Sequence, residues 1–180
     1  MTTSVRAALV FVCAAACIAE SAWTQTARSG EEQAHFSAED VGVRHPVAIP
    51  EDAWAILQAD ERVKRILDSE GLTLEQLPRT WFSAAVVHLH DPGQDDLIVW
   101  AEGELAGGNI SPFWLFVRTP TALKLALQAS THDLAILRNR WKGYRVIETE
   151  GATCCENSRV WLRFEGGVYR AYRHSDEKVN

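Results

Sequence analysis

One short run restricts this chain more than any other. In Phe113–Val117, Phe113, Leu115 and Val117 alternate with Trp114 and Phe116. On an extended strand the two sets point to opposite faces, and here both sets are apolar. Such a strand needs cover on both sides, which predicts an interior strand of the structure. It sits inside Asp95–Leu127, where Leu97–Ala101 and Leu123–Leu127 are two further apolar runs. Clusters of Gly, Pro and Asn separate the runs, as they do between strands. Leu123–Leu127 alternates too briefly for periodicity to separate helix from strand.

A weaker echo of this stretch runs from Val146 to Tyr172. Leu97-Ile98-Val99 matches Val146-Ile147-Glu148, Gly103 matches Gly151, Asn109 matches Asn157, and Trp114-Leu115 matches Trp161-Leu162, at offsets of 47 to 49 residues. The steady offset predicts a duplicated hairpin unit, two copies of which suffice for one sandwich or rolled sheet. Chance similarity between two hairpins is the competing account. In the second copy Gly166-Gly167 separates Val160–Phe164 from Val168–His174. Two glycines in a row fit a two-residue primed turn, because both positions take positive φ. That register sets Phe164 opposite Tyr169 and Leu162 opposite Ala171 on the core face. On the other face it sets Arg163 opposite Arg170 and Trp161 opposite Tyr172.

Ahead of these strands the chain reads as helical. Pro50 suits a helix entry, with Glu51 and Asp52 in the first turn. Trp54, Leu57, Val63, Ile66 and Leu67 share one side, with a break near Ala59-Asp60, and Gly71 is a stop. Thr73-Leu74-Glu75-Gln76 has the pattern of a capping box. Trp81–His90 reads as the first strand, and Asp91-Pro92-Gly93-Gln94 turns it into the next. Leu134–Leu137 is another short strand, and Arg138–Arg145 reads as a basic, aromatic loop. The fold class expected is α+β: an antiparallel sheet of about seven strands with a helical N-terminal segment on one face.

Residues 1–22 read as a secretion signal. Arg6 gives a minimal positive start, and Ala7–Ala19 is apolar but too short to span a bilayer. Ala14-Ala15-Ala16-Cys17 is a poor lipoprotein box because it lacks the bulky residue three places before the Cys, so a lipid anchor at Cys17 is disfavoured. Residues 23–44 read as a flexible lead-in and 45–176 as a single globular domain. Losing the leader removes one Arg and one Glu, so the net charge stays at −6. That balance argues against a generic nucleic-acid binder, which needs basic patches. The expected localisation is periplasmic or secreted. In an oxidising compartment Cys154 and Cys155 are candidates for a vicinal disulfide; free thiols and intermolecular bridges are the alternatives.

For catalysis the sequence offers little. There is no nucleophile elbow, phosphate-binding glycine loop or zinc-protease helix motif. His88 and His90 are two apart on one strand face with Asp91, Asp95 and Asp96 nearby, so a metal-dependent hydrolase is an alternative; a polar strand end and turn explains them as well. No cofactor is expected. The stronger candidate is a surface: Arg138, Arg140, Trp141, Lys142, Tyr144, Arg145, Trp161, Arg163, Arg170 and Tyr172 concentrate positive charge and aromatic rings on an acidic protein. Arg, Trp and Tyr are the usual anchors of interfaces. Rings filling gaps at a sheet edge, with solvated arginines, is the plainer account.

At Gly107-Gly108-Asn109, Pro112-Phe113-Trp114-Leu115-Phe116, Lys142-Gly143-Tyr144-Arg145-Val146-Ile147-Glu148 and Leu162-Arg163-Phe164-Glu165-Gly166-Gly167-Val168-Tyr169, the chain resembles a group of small, exported, uncharacterised bacterial proteins. Their pattern is of the GAN-x-x-PFW-x-F … NGYRDIE … YRFDG-x-x-Y type. Val146 and Glu165 depart from it, each standing where the pattern has Asp. The resemblance covers about residues 95–172 and implies a compact β domain beyond a signal; it transfers no activity. The reading that follows is an exported envelope protein, a non-catalytic binding or accessory module whose partner is another envelope protein or a polyanionic or carbohydrate ligand. A purely structural envelope protein is a further alternative.

Overall fold

The computed structural model describes residues 32–91, 93–152 and 156–178. Two helices, α1 (Glu51–Ala59) and α2 (Glu61–Glu70), precede most of the strands. The strands are β1 (His35–Ser37), β2 (Phe82–Val87), β3 (Asp96–Ala101), β4 (Ser111–Arg118), β5 (Leu123–Thr131), β6 (Asp133–Trp141), β7 (Tyr144–Ala152), β8 (Glu156–Glu165) and β9 (Val168–Lys178). They form two antiparallel sheets, ordered β2-β3-β4-β5 and β1-β6-β7-β8-β9. The expected single sheet of about seven strands is thus nine described strands in two sheets. After giving β1 to the five-stranded sheet, the chain completes the β2–β5 meander before it starts β6–β9, and the tight β5–β6 connection carries it between the two sheets.

Phe113–Val117 lies in β4, an interior strand, and it divides the core. Phe113, Leu115 and Val117 face the second sheet, where they join Trp100, Leu134, Ile136, Ile147, Leu162 and Tyr169. Trp114 and Phe116 face the helices and pack with Trp54, Leu57, Val63, Leu67 and Phe82. The result is three layers: helices, four-stranded sheet, five-stranded sheet. Leu123–Leu127 is strand, at the start of β5.

The helical layer follows its sequence signals. Pro50 precedes α1, and Gly71, at φ 68°, ends α2. The break between the helices falls at Asp60, whose Oδ1 accepts from the N–H groups of Arg62 (2.7 Å) and Val63 (3.3 Å). Oδ2 of the same carboxylate accepts from the Trp114 indole N–H at 2.7 Å. One buried aspartate therefore caps α2 and satisfies the only polar atom of the largest ring in the core. Gln76 Oε1 accepts the Thr73 N–H, as a capping box requires. Among the described residues no helix is long and apolar enough to cross a membrane.

Four expectations need correction. The lead-in is structured from His35 onwards: β1 pairs with β6, and Phe36 is buried between the sheets. An aromatic ring among polar neighbours is too large a buried surface to leave in solvent. Second, Arg138–Arg145 is not a loop. β6 runs to Trp141 and β7 starts at Tyr144, with only Lys142 (φ 48°) and Gly143 (φ 88°) between them. That is a primed two-residue turn, matched to strand twist.

Third, the echo is not an exact duplicate. Ile98 pairs with Leu115 as Ile147 pairs with Leu162, and Val99 pairs with Trp114 as Glu148 pairs with Trp161. Beyond these pairs it fails. Gly103 opens a 3-10 turn while Gly151 lies within β7, and Asn109 is in a connection while Asn157 is in β8. Fourth, the Gly166-Gly167 turn sets Phe164 against Tyr169, Arg163 against Arg170 and Leu162 against Ala171, but Trp161 meets Arg173. Tyr172 is the extra residue of a bulge, which advances the rest of β9 by one place.

Candidate binding face

The outward face of the five-stranded sheet brings together six of the residues that the sequence singles out. Trp141 ends β6, beside the Lys142-Gly143 turn. Arg163 projects outward from β8 between two rings: its guanidinium carbon is 4.5 Å from the centre of Trp141 and 5.1 Å from that of Tyr172. Lys142 Nζ is 5.8 Å from the Trp141 ring. Further along, Arg173 lies 4.3 Å over Trp161. Trp141 and Tyr172 remain 38% and 43% exposed, high for rings of this size.

The stacking follows from the strand pattern. Outward positions of β8 carry Trp161 and Arg163, and the bulge in β9 turns both Tyr172 and Arg173 toward them. A cation over a ring gains about 0.5–1 kcal/mol at an exposed site. The larger consequence is geometric. Stacking on rings leaves the in-plane N–H edge of a guanidinium available, the edge that matches a carboxylate or phosphate. Glu165 Oε1 is 2.8 Å from Arg163 Nε, yet Nε makes no hydrogen bond of acceptable angle. Arg170 stands directly opposite Arg163 and has no ion pair among the described residues. Like charges facing each other across a ladder are unfavourable, and of these two arginines it is Arg163 that has a carboxylate, Glu165, beside it.

Three other predicted binding residues turn elsewhere. Arg145 is buried, and its guanidinium donates to the carbonyls of Leu137 (2.9 Å) and Ile136 (2.7 Å) and to Glu32 Oε2 (2.9 Å). The β6–β7 register slips between Ile136 and Arg140. Arg145 fills that irregularity and satisfies carbonyls that the ladder has released. Tyr144 is half-buried in a column of rings, stacked on His90 at 5.0 Å and on Phe164 at 3.9 Å. Arg140 donates from one nitrogen to the carbonyls of His90 and Gly143, which braces the turn from outside. Arg173 is the residue that sequence reasoning missed. Only the bulge brings it onto the face, and nothing in Arg170–Arg173 announces a bulge.

No family model, curated protein or solved structure matches the chain. The face must be read from its own chemistry.

The histidine cluster holds its partners in fixed pairs. His90 Nδ1 is 3.0 Å from Asp96 Oδ2 and Nε2 is 2.8 Å from Gln94 Oε1, so both ring nitrogens are engaged. His88 lies between other carboxylates, 3.6 Å from Asp95 and 3.7 Å from Glu32. Asp91 accepts the Gly93 N–H and shapes the turn. Among the described residues no three His, Cys, Asp or Glu side chains gather to hold a metal ion. Asp96 is fully buried and also accepts the N–H groups of Leu89 and Arg118, both at 2.8 Å. It joins the ends of β2, β3 and β4. Burial, reinforced by the nearby Asp96 carboxylate, pushes the Tyr169 phenol well above its ordinary range. Tyr169 therefore acts as a neutral donor, to the Arg145 carbonyl at 3.0 Å. Cys154 and Cys155 lie outside the described residues.

Proposed function

We propose that this chain is an exported, non-catalytic binding or accessory module of the cell envelope. It engages a carboxylate-bearing polyanion through the outward face of its five-stranded sheet. One observation carries the reading: Arg163 is held between Trp141 and Tyr172 with Arg170 directly opposite, on a face left open to solvent. The leader at residues 1–22 supports export. The resemblance to small exported β-rich proteins supports the same compartment and supplies no chemistry.

The test uses polygalacturonate and poly-glutamate as probes, with binding followed by tryptophan fluorescence at two salt concentrations. The expected outcome is binding to at least one polymer that weakens with salt and falls about tenfold in Arg163→Ala/Arg170→Ala, as for loss of two charge-assisted contacts. Undiminished binding by the double variant, or no binding of either polymer, overturns the reading.

A further inference from the structure

The last seven described residues of β9 are Tyr172-Arg173-His174-Ser175-Asp176-Glu177-Lys178. Within them Arg173–Glu177 runs basic, basic, neutral, acidic, acidic about Ser175, and the flanking Tyr172 and Lys178 would face each other across the same centre. β9 is also the last strand of its sheet, and its outer edge pairs with no other strand among the described residues. Every residue from Arg170 to Lys178 is exposed. A long edge of this kind presents a row of free N–H and C=O groups, ready to pair with another strand. The opposite edge of the sheet is β1, only three residues long.

We propose that two copies of this chain pair through β9, antiparallel, about a two-fold axis at Ser175. In that register Arg173 faces Glu177 of the second copy, His174 faces Asp176, and each pair occurs twice. The faces agree as well as the charges. Arg173, Ser175 and Glu177 share the outward face, opposite Trp161, Arg159 and Asn157 of β8, and His174 and Asp176 share the other. Antiparallel partners lie on the same side of a sheet, so each basic residue meets its acidic partner without a break in the pleat. A parallel register sets like charges side by side and is disfavoured. The pattern is self-complementary, as a two-fold interface requires. His174 Nε2 already lies 2.7 Å from Asp176 Oδ1 within one strand, which brings the same two groups together at the proposed seam.

The register starts after the bulge at Tyr172, where the β8–β9 pairing is regular through Lys178. Pairing would join the two five-stranded sheets into one of ten strands and set two copies of the Trp141–Arg163–Tyr172 stack on a continuous outward surface. The proposal stands whether or not that surface binds an anion.

Sedimentation velocity of the full chain over a concentration series tests it. The expected result is a reversible dimer that weakens with salt. Arg173→Glu and Glu177→Arg each convert two attractive pairs into repulsive ones and should each weaken dimerisation about tenfold or more. Arg173→Glu/Glu177→Arg restores the pairs in reverse and should recover most of the loss. In Ser175→Cys, thiols on facing strands sit within disulfide reach, because facing Cα atoms are roughly 4.5–5.5 Å apart. Mild oxidation should then give a covalent dimer beyond any seen with the parent chain. A monomer at every concentration, single variants without effect, or a double variant no better than either single overturns the proposal.

Discussion

Trp114 and Trp161 occupy matching places in the two meanders. Each stands opposite β7 or β3 one residue from an Ile–Leu pair, Ile98–Leu115 in one sheet and Ile147–Leu162 in the other. The inward faces are alike, since both pairs lie in the core between the sheets. The outward faces are not. Trp114 is fully buried under α1 and α2, with its N–H on Asp60; Trp161 is only partly buried, on the outward face beneath Arg173. A strand supplies a face, and whether that face becomes core or surface depends on a second segment being available to cover it. The sequence records the result across the ladder: Trp114 faces Val99 while Trp161 faces Glu148.

The largest expected effect breaks the comparison at its two tryptophans. Trp114→Ala should destabilise the fold by about 3–5 kcal/mol, from lost transfer energy and an unfilled cavity, and it leaves Asp60 short of a donor. Trp161→Ala should cost about 1–2 kcal/mol, since it removes a partly buried ring and one cation stack. Urea midpoints of the two variants measure the difference. Equal losses would mean that the outward face of the second sheet is as well packed as the helical side.

A smaller contrast separates two arginines that sequence reading placed in one group. Arg145→Ala should lose about 2–3 kcal/mol, because carbonyls of Ile136 and Leu137 and the Glu32 carboxylate lose a charged donor. Arg163→Ala should move stability by under about 1 kcal/mol. Polyanion binding should show the reverse order, with Arg163→Ala the more damaging. If Arg145→Ala impairs binding at unchanged stability, the division into a buried brace and an outward face is wrong.

These pairs also show what the chain made legible. The double-sided apolar run in β4, the Pro50 and Gly71 helix ends and the Gly166-Gly167 turn are local signals, each contained in a few residues, and the structure follows them. Arg145 and Arg163 read alike because nothing within a few residues distinguishes them. The difference lies in a register slip in β6 and in Glu32, 113 residues away in sequence. The split into two sheets was hidden for a related reason: Thr131 and Asp133 bound a connection that looks like any hairpin turn, although the chain changes layer there. Phe36 belongs to the same class, a lone ring whose burial depends on strands about a hundred residues later.

The smallest effect reads the seam at that change of layer. His132 donates to the Asp133 carboxylate at 2.8 Å, and the His132 carbonyl accepts the Ala38 N–H at 2.7 Å just beyond β1. The hydrogen bond to Asp133 raises the His132 pKa above its ordinary 6.5 against the opposing effect of burial, helped by the charges of Asp133, Glu39 and Glu150. Burial alone would raise Asp133, but hydrogen bonds from His132 and Ser37 and the charges of His132 and His35 leave it below its ordinary 3.8. The raised histidine contributes stability that is complete below pH 6.5 and lost as pH climbs through its folded value. The lowered aspartate contributes above pH 3.8 and is lost as pH falls through its folded value. Both act together between those limits. Raising the pH from 5.5 to 8 should therefore cost about 1 kcal/mol or less, as befits a partly solvated pair. The urea midpoint should fall less over that range in His132→Gln than in the parent. An equal fall in both would assign the pH dependence to other histidines and leave this seam held by its backbone bonds alone.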